Sequence, residues 1–543
     1  MSQPAQLTSS RTSNRSVQLP TMADRGQVDV FFGVAGPNAK RIMPARPARV
    51  DSHENANPLP GGRAPLPSGW CTTDRPALCP GPPMSHSLHF DASDWAALNA
   101  RRDAHQRHRA CHAAEKGLFF GLRGRVFSCC FNKSHLLGTY PQDRIRDIWH
   151  GSAVALQRQA LRTGDFSLGC AACLDGVKAR NLDAVVLRQY DRFAADNGAM
   201  PAKMDFELFN TCNLECIMCR GEFSSSIREN RENLPPIDSP YGPAFFDEVE
   251  AYIPSLKSST FLGGEPFLIR QYLDLWDRMA TLNPKMAIGV QTNCSVLNTR
   301  IKGLMERIDF NVSVSIDSLV PDTYAQIRKN GNLAQVMQNL QYFSDYMKRR
   351  GGRLTLVFCP MQQNWQELPA LLAFCNDWDI AMMFATVESP PHCSLTSLSS
   401  EALDSIVGEL RNCEAPDGSA LQAANRRMYL DQLAQLAAWA NAARQREATG
   451  RTRPPQDFAE FIEHIGQALL DSGLQGREQC RAERDAIEAK LRFVLDHAAG
   501  QGQRAEAEAR MIGFPPELII RSIVPLSKEA LLPLFSAYVM PLD

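Results

Sequence analysis

Between about residues 201 and 400 the chain alternates short apolar runs with longer amphipathic ones. FELFN, STFLGG, AIGVQTN, FNVSVSID and LTLVFCP each read as a buried strand. YLDLWDRMATL and LAQVMQNLQYFSDYM, lying among them, carry their apolar residues three and four apart, as one face of a helix does. Repeated strand–helix units predict a parallel sheet, open or closed into a barrel. From about 401 to 543 the strand signal fades and helical spacing takes over; Phe458, Phe461, Ile462, Ile465 and Leu469 fall on one helix face. This last stretch reads as a helical packing region. From about 86 to 200 the pattern predicts an aromatic strand, a turn at Gly124, a second strand ending at Cys129–Cys130, and a helix around IRDIWHGSAVALQRQAL. Residues 1–85 are rich in Pro, Ser, Arg and Gly without periodicity and read as a mostly disordered leader.

Composition then narrows the function. The chain of 543 residues balances 58 Lys+Arg against 59 Asp+Glu, which argues against nucleic acid as a partner of the whole protein. The N-terminus has no apolar core of the secretory kind, and there is no apolar run of about 18 residues, so neither a signal peptide nor a membrane span is expected. The expected compartment is the cytoplasm, where thiols stay reduced. Sixteen cysteines therefore point to metal more than to disulfides. Cys71 and Cys79, in the leader, read as free thiols.

The decisive stretch is FELFNTCNLECIMCRGEF, where Cys212, Cys216 and Cys219 stand at C-x3-C-x2-C spacing just after the first strand of the repeating region. One loop at this spacing can present three thiolates, which suit zinc, Cu(I) or an iron–sulfur cluster. A structural zinc wants a fourth protein ligand, and none follows in the loop. After the next strand come Gly263, Gly264, Glu265 and Pro266; QTNCS, with Gln291 and Asn293, follows the third; Ser313, Ser315 and Asp317 alternate at the end of the fourth. Arg328 follows in YAQIRKNG, where in isolation it could equally be a surface helix charge.

This order of motifs resembles the radical S-adenosylmethionine (SAM) superfamily. The resemblance implies an α/β fold, a partial (β/α)6 TIM-like barrel, in which Cys212, Cys216 and Cys219 hold a [4Fe–4S] cluster with one iron open to SAM. It further implies that Gly263, Gly264 and Glu265 meet the SAM amino group, and that Arg328 grips its carboxylate. Gln291, Asn293, Ser315 and Asp317 would line the interior around it.

The upstream segment, with Cys111, the Cys129–Cys130 pair and Cys170-x2-Cys173, is similar to SPASM and twitch auxiliary-cluster domains. The resemblance implies a small N-terminal α+β domain over 86–200, with Cys111, Cys130 (or Cys129), Cys170 and Cys173 as ligands of an auxiliary [4Fe–4S] cluster. Spacing alone leaves zinc equally open. His105, His108 and His112 flank Cys111 and read as a solvated helix face. Cys294, Cys359, Cys375, Cys393, Cys413 and Cys480 are isolated and read mostly as small buried residues. The triad and its following CNLxCxMCxxEFSSS pattern, through Ser224, Ser225 and Ser226, resemble a twitch-type group with the auxiliary unit first.

The expected chemistry is one-electron cleavage of SAM to a 5′-deoxyadenosyl radical that abstracts hydrogen from substrate. A peptide or peptide-like substrate, oxidised or cross-linked, is the reading adopted, with a flavodoxin- or ferredoxin-like electron donor. A small-metabolite dehydrogenase and a non-catalytic iron–sulfur or zinc scaffold are the alternatives, and no residue is assigned a catalytic role.

Overall fold

The computed structural model describes residues 88–531, apart from 179, 181, 183–184, 195–198, 389, 449–454, 456, 472–476, 501–503, 513–515 and 524–530. The leader, with Cys71 and Cys79, lies outside the described residues.

A nine-stranded sheet organises the molecule, in the order β3-β2-β1-β4-β5-β6-β7-β8-β9. Its strands are β1 (Gly117–Phe120), β2 (Arg125–Phe127), β3 (Gly138–Thr139), β4 (Lys203–Phe206), β5 (Ser258–Phe261), β6 (Ala287–Thr292), β7 (Asp309–Ser315), β8 (Thr355–Phe358) and β9 (Ala381–Phe384). From β4 to β9 all neighbours are parallel, giving six strands joined by helices, as the (β/α)6 expectation requires. The outer strands are β3 and β9, so the sheet stays open. The sixth parallel strand, Ala381–Phe384, is absent from the sequence reading, and the first strand is KMDF, just before the expected FELFN. KMDF alternates polar with apolar residues, so an apolar-run criterion passes over it.

That alternation extends across the sheet. Lys203 pairs with Ser258, which pairs with Ala287, which pairs with Asp309; Asp205 pairs in turn with Thr260, Gly289 and Asn311. Residues opposite one another across strands share a face. One face is therefore polar, while Phe206, Phe261, Val290 and Val312 form one row of the other. A parallel sheet covered on both faces reads as near-continuous apolar runs; here the polar rows mark a hydrogen-bonding floor. Helices Arg270–Leu282 and Leu333–Arg349 bury the apolar face. Trp276 packs edge-on to Phe261 and Phe310 at 5.2 and 5.1 Å between ring centroids.

The N-terminal unit is not a separate layer. Its strand β1 lies parallel to β4, with Gly117 opposite Lys203 and Phe120 opposite Phe206, so the β1–β2–β3 segment prolongs the same sheet. Buried residues from Phe90 to Ala443 form one continuous core. The tight turn before β2 needs Gly124 (φ 80°), where a Cβ would stand 1.9 Å from the Tyr140 carbonyl oxygen. The expected helix around IRDIWHGSAVALQRQAL is two helices, Ile145–His150 and Ser152–Thr163, broken at the extended Gly151.

The C-terminal helices divide. Ser400–Leu410 and Ala420–Ala448 join the main core, whereas Phe458–Asp471 and the helices after it bury Phe461, Ile465 and Leu491 in a core of their own. Asn425, 1% exposed, serves the outer strand β9: its Oδ1 accepts from the Met382 N–H at 3.0 Å and its Nδ2 donates to the Ile380 carbonyl at 3.0 Å. An unpaired strand edge is thereby closed by a side chain. Asn425→Ala leaves both groups buried without partners and is expected to cost about 2–6 kcal/mol, at roughly 1–3 for each, measured by denaturant unfolding of the apoprotein.

Candidate metal centres and cofactor cradle

The triad loop follows β4 and is held by serines that the sequence places directly after it. The Cys212 N–H donates to Ser225 Oγ at 3.1 Å, and Ser226 Oγ donates to the Cys212 carbonyl at 2.8 Å. Ser224 Oγ donates to the Leu214 carbonyl at 2.7 Å and accepts from the Ile227 N–H, capping helix Ser225–Asn230. The three serines thus fix the backbone that carries the three thiols. Short hydroxyls with local reach suit this task, since they satisfy loop carbonyls that no ladder can.

The other half of the cradle is the Gly263–Gly264 turn, with φ of 83° and 46°. A Cβ on Gly264 would lie 2.1 Å from the Thr211 carbonyl oxygen, and the Glu265 N–H donates to that same oxygen at 2.8 Å. The glycines are required by the triad loop's own backbone, which presses against the turn.

Glu265 differs from expectation. It is fully buried, and its carboxylate accepts from Thr292 Oγ1 at 2.7 Å, the Asn293 N–H at 2.7 Å and the Phe267 N–H at 3.1 Å. It therefore ties the ends of β5 and β6 together. Asn293 Nδ2 donates to Asn213 Oδ1 at 3.1 Å and lies 4.0 Å from the Cys212 sulfur, so it latches β6 to the triad loop.

Asp317 and Arg328 are also turned inward. Arg328 Nη2 stands 2.7 Å from Asp317 Oδ2, with the side chains 6% and 0% exposed, and Asp317 Oδ1 accepts from the Cys359 N–H at 2.9 Å. Arg328 is not a surface charge: it forms a buried pair beside Cys216, and its Nε is left without a hydrogen-bond partner among the described residues. Burial of one partner without the other is strongly unfavourable, which explains their joint retention in the wall. Of the expected cofactor contacts on the strands, Gln291 and Ser315 remain accessible, joined by a 3.2 Å hydrogen bond on the polar floor.

Burial pushes the Cys216 thiol up to about 12, with Arg328 pulling the other way, and Cys219 up to about 11. A metal centre reverses this, because a coordinated thiol is deprotonated outright.

The second cysteine set needs a correction. Cys111, Cys129, Cys170 and Cys173 line one cavity of about 20 Å³, along with Phe166, Leu187 and other apolar neighbours. Cys130 is not among them. Burial pushes the Cys130 thiol up, and the neighbouring Cys129 adds to the shift. The pair lies in the bend and turn that follow β2, which directs Cys129 to the cavity. Burial raises the Cys173 thiol to about 12, and Cys129 adds to the shift. A tetrahedral zinc would hold its thiolates about 3.8 Å apart, given Zn–S bonds of about 2.3 Å. Among the described residues, the donor group drawn within 4.8 Å of one another is His108, His112 and Glu115, and neither cysteine set is that tight.

The histidines also depart from a solvated helix face. His105 and His108 are exposed, but His112 is fully buried with Nε2 3.1 Å from the Gln106 carbonyl, and burial lowers it to about 4. Glu115 pairs with Arg109 and with Arg162, so arginines already hold that carboxylate. Of the isolated cysteines, Cys294, Cys375, Cys393 and Cys480 are buried, as expected, while Cys359 and Cys413 are half-buried.

Two outcomes test this construction. Gly264→Ala forces the turn off Thr211 and is expected to lower iron bound at the triad by at least half, read as iron per chain after anaerobic reconstitution. Glu265 supplies a pH signature. Burial raises its carboxyl from 4.5 to about 7, against the pull of Asn293 and Thr292. The folded state then binds more protons than the unfolded chain between those values, so this group's contribution falls as pH rises from 4.5 to 7. Glu265→Gln is expected to flatten that decline by about 3 kcal/mol, at about 1.4 per pH unit, in unfolding measured across the interval.

Residues 206–375 match the family model of the Radical SAM superfamily. The GTP 3′,8-cyclase of Pelotomaculum thermopropionicum is 28% identical over 193 residues, covering 34% of this chain and 52% of that one. The GTP 3′,8-cyclase of Synechocystis is 25% identical over 200 residues, covering 34% and 54%. The chain thus spans about half the length of the curated relatives it matches. Among solved structures it is similar to Streptococcus suis SuiB bound to S-adenosylmethionine, with a TM-score of 0.30 and 13% identity over 49% of this chain and 61% of that one. It is also similar to native anSMEcpe with bound AdoMet, with a TM-score of 0.30 and 14% identity over 39% and 59%. With the sequence match falling on the sheet that carries the triad, residues 206–375 are a radical SAM domain, whose superfamily works with a [4Fe–4S] cluster and S-adenosylmethionine.

Proposed function

We propose that this radical SAM enzyme abstracts hydrogen from a peptide or peptide-like substrate, oxidising or cross-linking it. The observation that carries the reading is the combination on one open sheet of a three-thiol loop, a polar floor and a second set of four thiols. An open sheet leaves a lateral entrance, which suits an extended chain better than a closed barrel would.

Cys212, Cys216 and Cys219 would hold the SAM-binding cluster, and Cys111, Cys129, Cys170 and Cys173 an auxiliary one. When bound, the cluster and SAM supply a hydrogen-abstracting radical, chemistry that belongs to the cofactor. The chain's own residues do the rest. Ser224–Ser226 and the Gly263–Gly264 turn keep the triad backbone fixed, Glu265 and Asn293 lock β6 against it, and the Arg328–Asp317 pair walls off Cys216. Gln291 and Ser315 offer the floor hydrogen-bonding groups that can orient SAM or substrate. GTP, the substrate named for the curated cyclases, is the competing substrate class.

Anaerobically reconstituted protein with dithionite and SAM is expected to yield 5′-deoxyadenosine, and the Cys212/Cys216/Cys219 triple Ala variant none. Equal yields from both would end the enzyme reading. Iron per chain should fall by roughly half in the triple variant and likewise by roughly half in Cys129→Ala, with Cys130→Ala unchanged, if each site holds four irons. Stimulation of 5′-deoxyadenosine formation by short peptides supports the peptide substrate; consumption of GTP would replace it.

A further inference from the structure

A cavity separate from both cysteine sets lies between the N-terminal hairpin and the triad loop. Phe119, Phe127 and Phe223 border it with their rings, and Glu222, three residues beyond Cys219, lines it from the triad side. Its free volume is about 10 Å³, room for one group the size of a water or an ammonium. Glu222 is 8% exposed, and its Oε2 makes no hydrogen bond. Two ion pairs reach this carboxylate, Arg220 Nε 3.7 Å from Oε2 and Arg125 Nη2 3.9 Å from Oε1, both longer than a hydrogen bond. A buried carboxylate short of donors is costly, so the site favours an incoming N–H donor that carries positive charge.

The cavity already shows what it accepts. The Lys133 ammonium lies 5.2 Å from the centroid of Phe119 and 5.7 Å from that of Phe223, while donating to Glu207 at 2.9 and 3.2 Å. Ring faces and a carboxylate together make an ammonium site, and Glu222 repeats this offer a short way off with no hydrogen bond yet made to Oε2. Lys133 and Arg125 are 31% and 20% exposed, so the cavity is reached from solvent past them.

We propose that this cavity binds a primary ammonium group of the substrate, a lysine side chain or a free amino terminus, between the two cysteine sets. It rests on the radical SAM peptide reading and adds the chemical class that the enzyme recognises.

Three probes of like size test it on the reconstituted holoprotein without reductant: Nα-acetyl-lysine methylamide, norleucine methylamide and the uncharged Nα-acetyl-norleucine methylamide. Calorimetry or ligand-observed NMR is expected to show one ammonium probe binding at least tenfold more tightly than the uncharged one. Whether the side-chain or the terminal ammonium is preferred names the source. Glu222→Gln should erase the difference, and Phe223→Leu should reduce it by about 2- to 30-fold, from about 0.5–2 kcal/mol for a cation over a ring. Equal binding of all three probes, or a difference that survives both variants, overturns the proposal and leaves the cavity to water. Because no turnover is involved, this result is independent of 5′-deoxyadenosine formation, whose loss would sink the enzyme reading alone.

Discussion

The parallel ladder between Gly117–Phe120 and Lys203–Phe206 is the constraint on which the rest of the arrangement depends. It puts the N-terminal hairpin in register with the first barrel strand; because β2 runs antiparallel to β1, the Cys129–Cys130 pair leaves the sheet at the end opposite the triad loop. Glu207, just past β4, meets Lys133, just past the Cys129–Cys130 pair, at 2.9 Å. Gly117 is needed for the approach, since a Cβ there would lie 2.8 Å from the Tyr190 ring and 2.9 Å from the Ser128 carbonyl. Two cysteine sets far apart in sequence are thereby held by one rigid element, which is how a site can be placed to within tenths of an ångström.

The polar floor follows from the same sheet. Lys203 and Asp205 form a buried ion pair, and Lys203 donates to Thr260 at 3.0 Å while Asp205 accepts from the Thr260 N–H at 2.8 Å. Such a network would be expensive in a packed core and is tolerated because each member finds a partner. Its position near Cys130 and Tyr190 links the floor to the N-terminal unit. The motif residues around the triad show a common principle: Glu265, Asn293, Asp317 and Arg328 all act on the loop and strand ends before any ligand arrives. Support of this kind sets the position of the thiols, much as outer-shell partners orient metal ligands elsewhere.

Much of this was legible in residue order. The triad, the Gly263–Gly264 turn and the β6 and β7 endings stand where strand–helix periodicity puts them, because each follows a strand whose apolar face must be buried. The protein partners of Glu265 and Arg328 were not legible, since they come from other strands and loops. Cys129 and Cys130 could not be separated for a related reason: neighbours in sequence diverge in space, and which of them turns toward Cys111 depends on the bend after β2. His112 looked solvated because the histidine-rich run is polar throughout, yet the chain folds back there and buries it.

By itself the sequence determined five of the six parallel strands in order, because apolar periodicity is a local property, and the order of motifs, through its resemblance to a family, pointed to the chemistry class. It also determined which residues end those strands. Only the tertiary structure decided that the N-terminal unit continues the barrel sheet, that Cys129 and not Cys130 meets Cys111, Cys170 and Cys173, and that a charged, aromatic cavity opens beside the triad. Those outcomes depend on pairing between segments some 85 residues apart in numbering, such as Gly117 with Lys203. No local pattern encodes a backbone ladder of that separation; the burial of both strands' apolar faces against shared helices selects it.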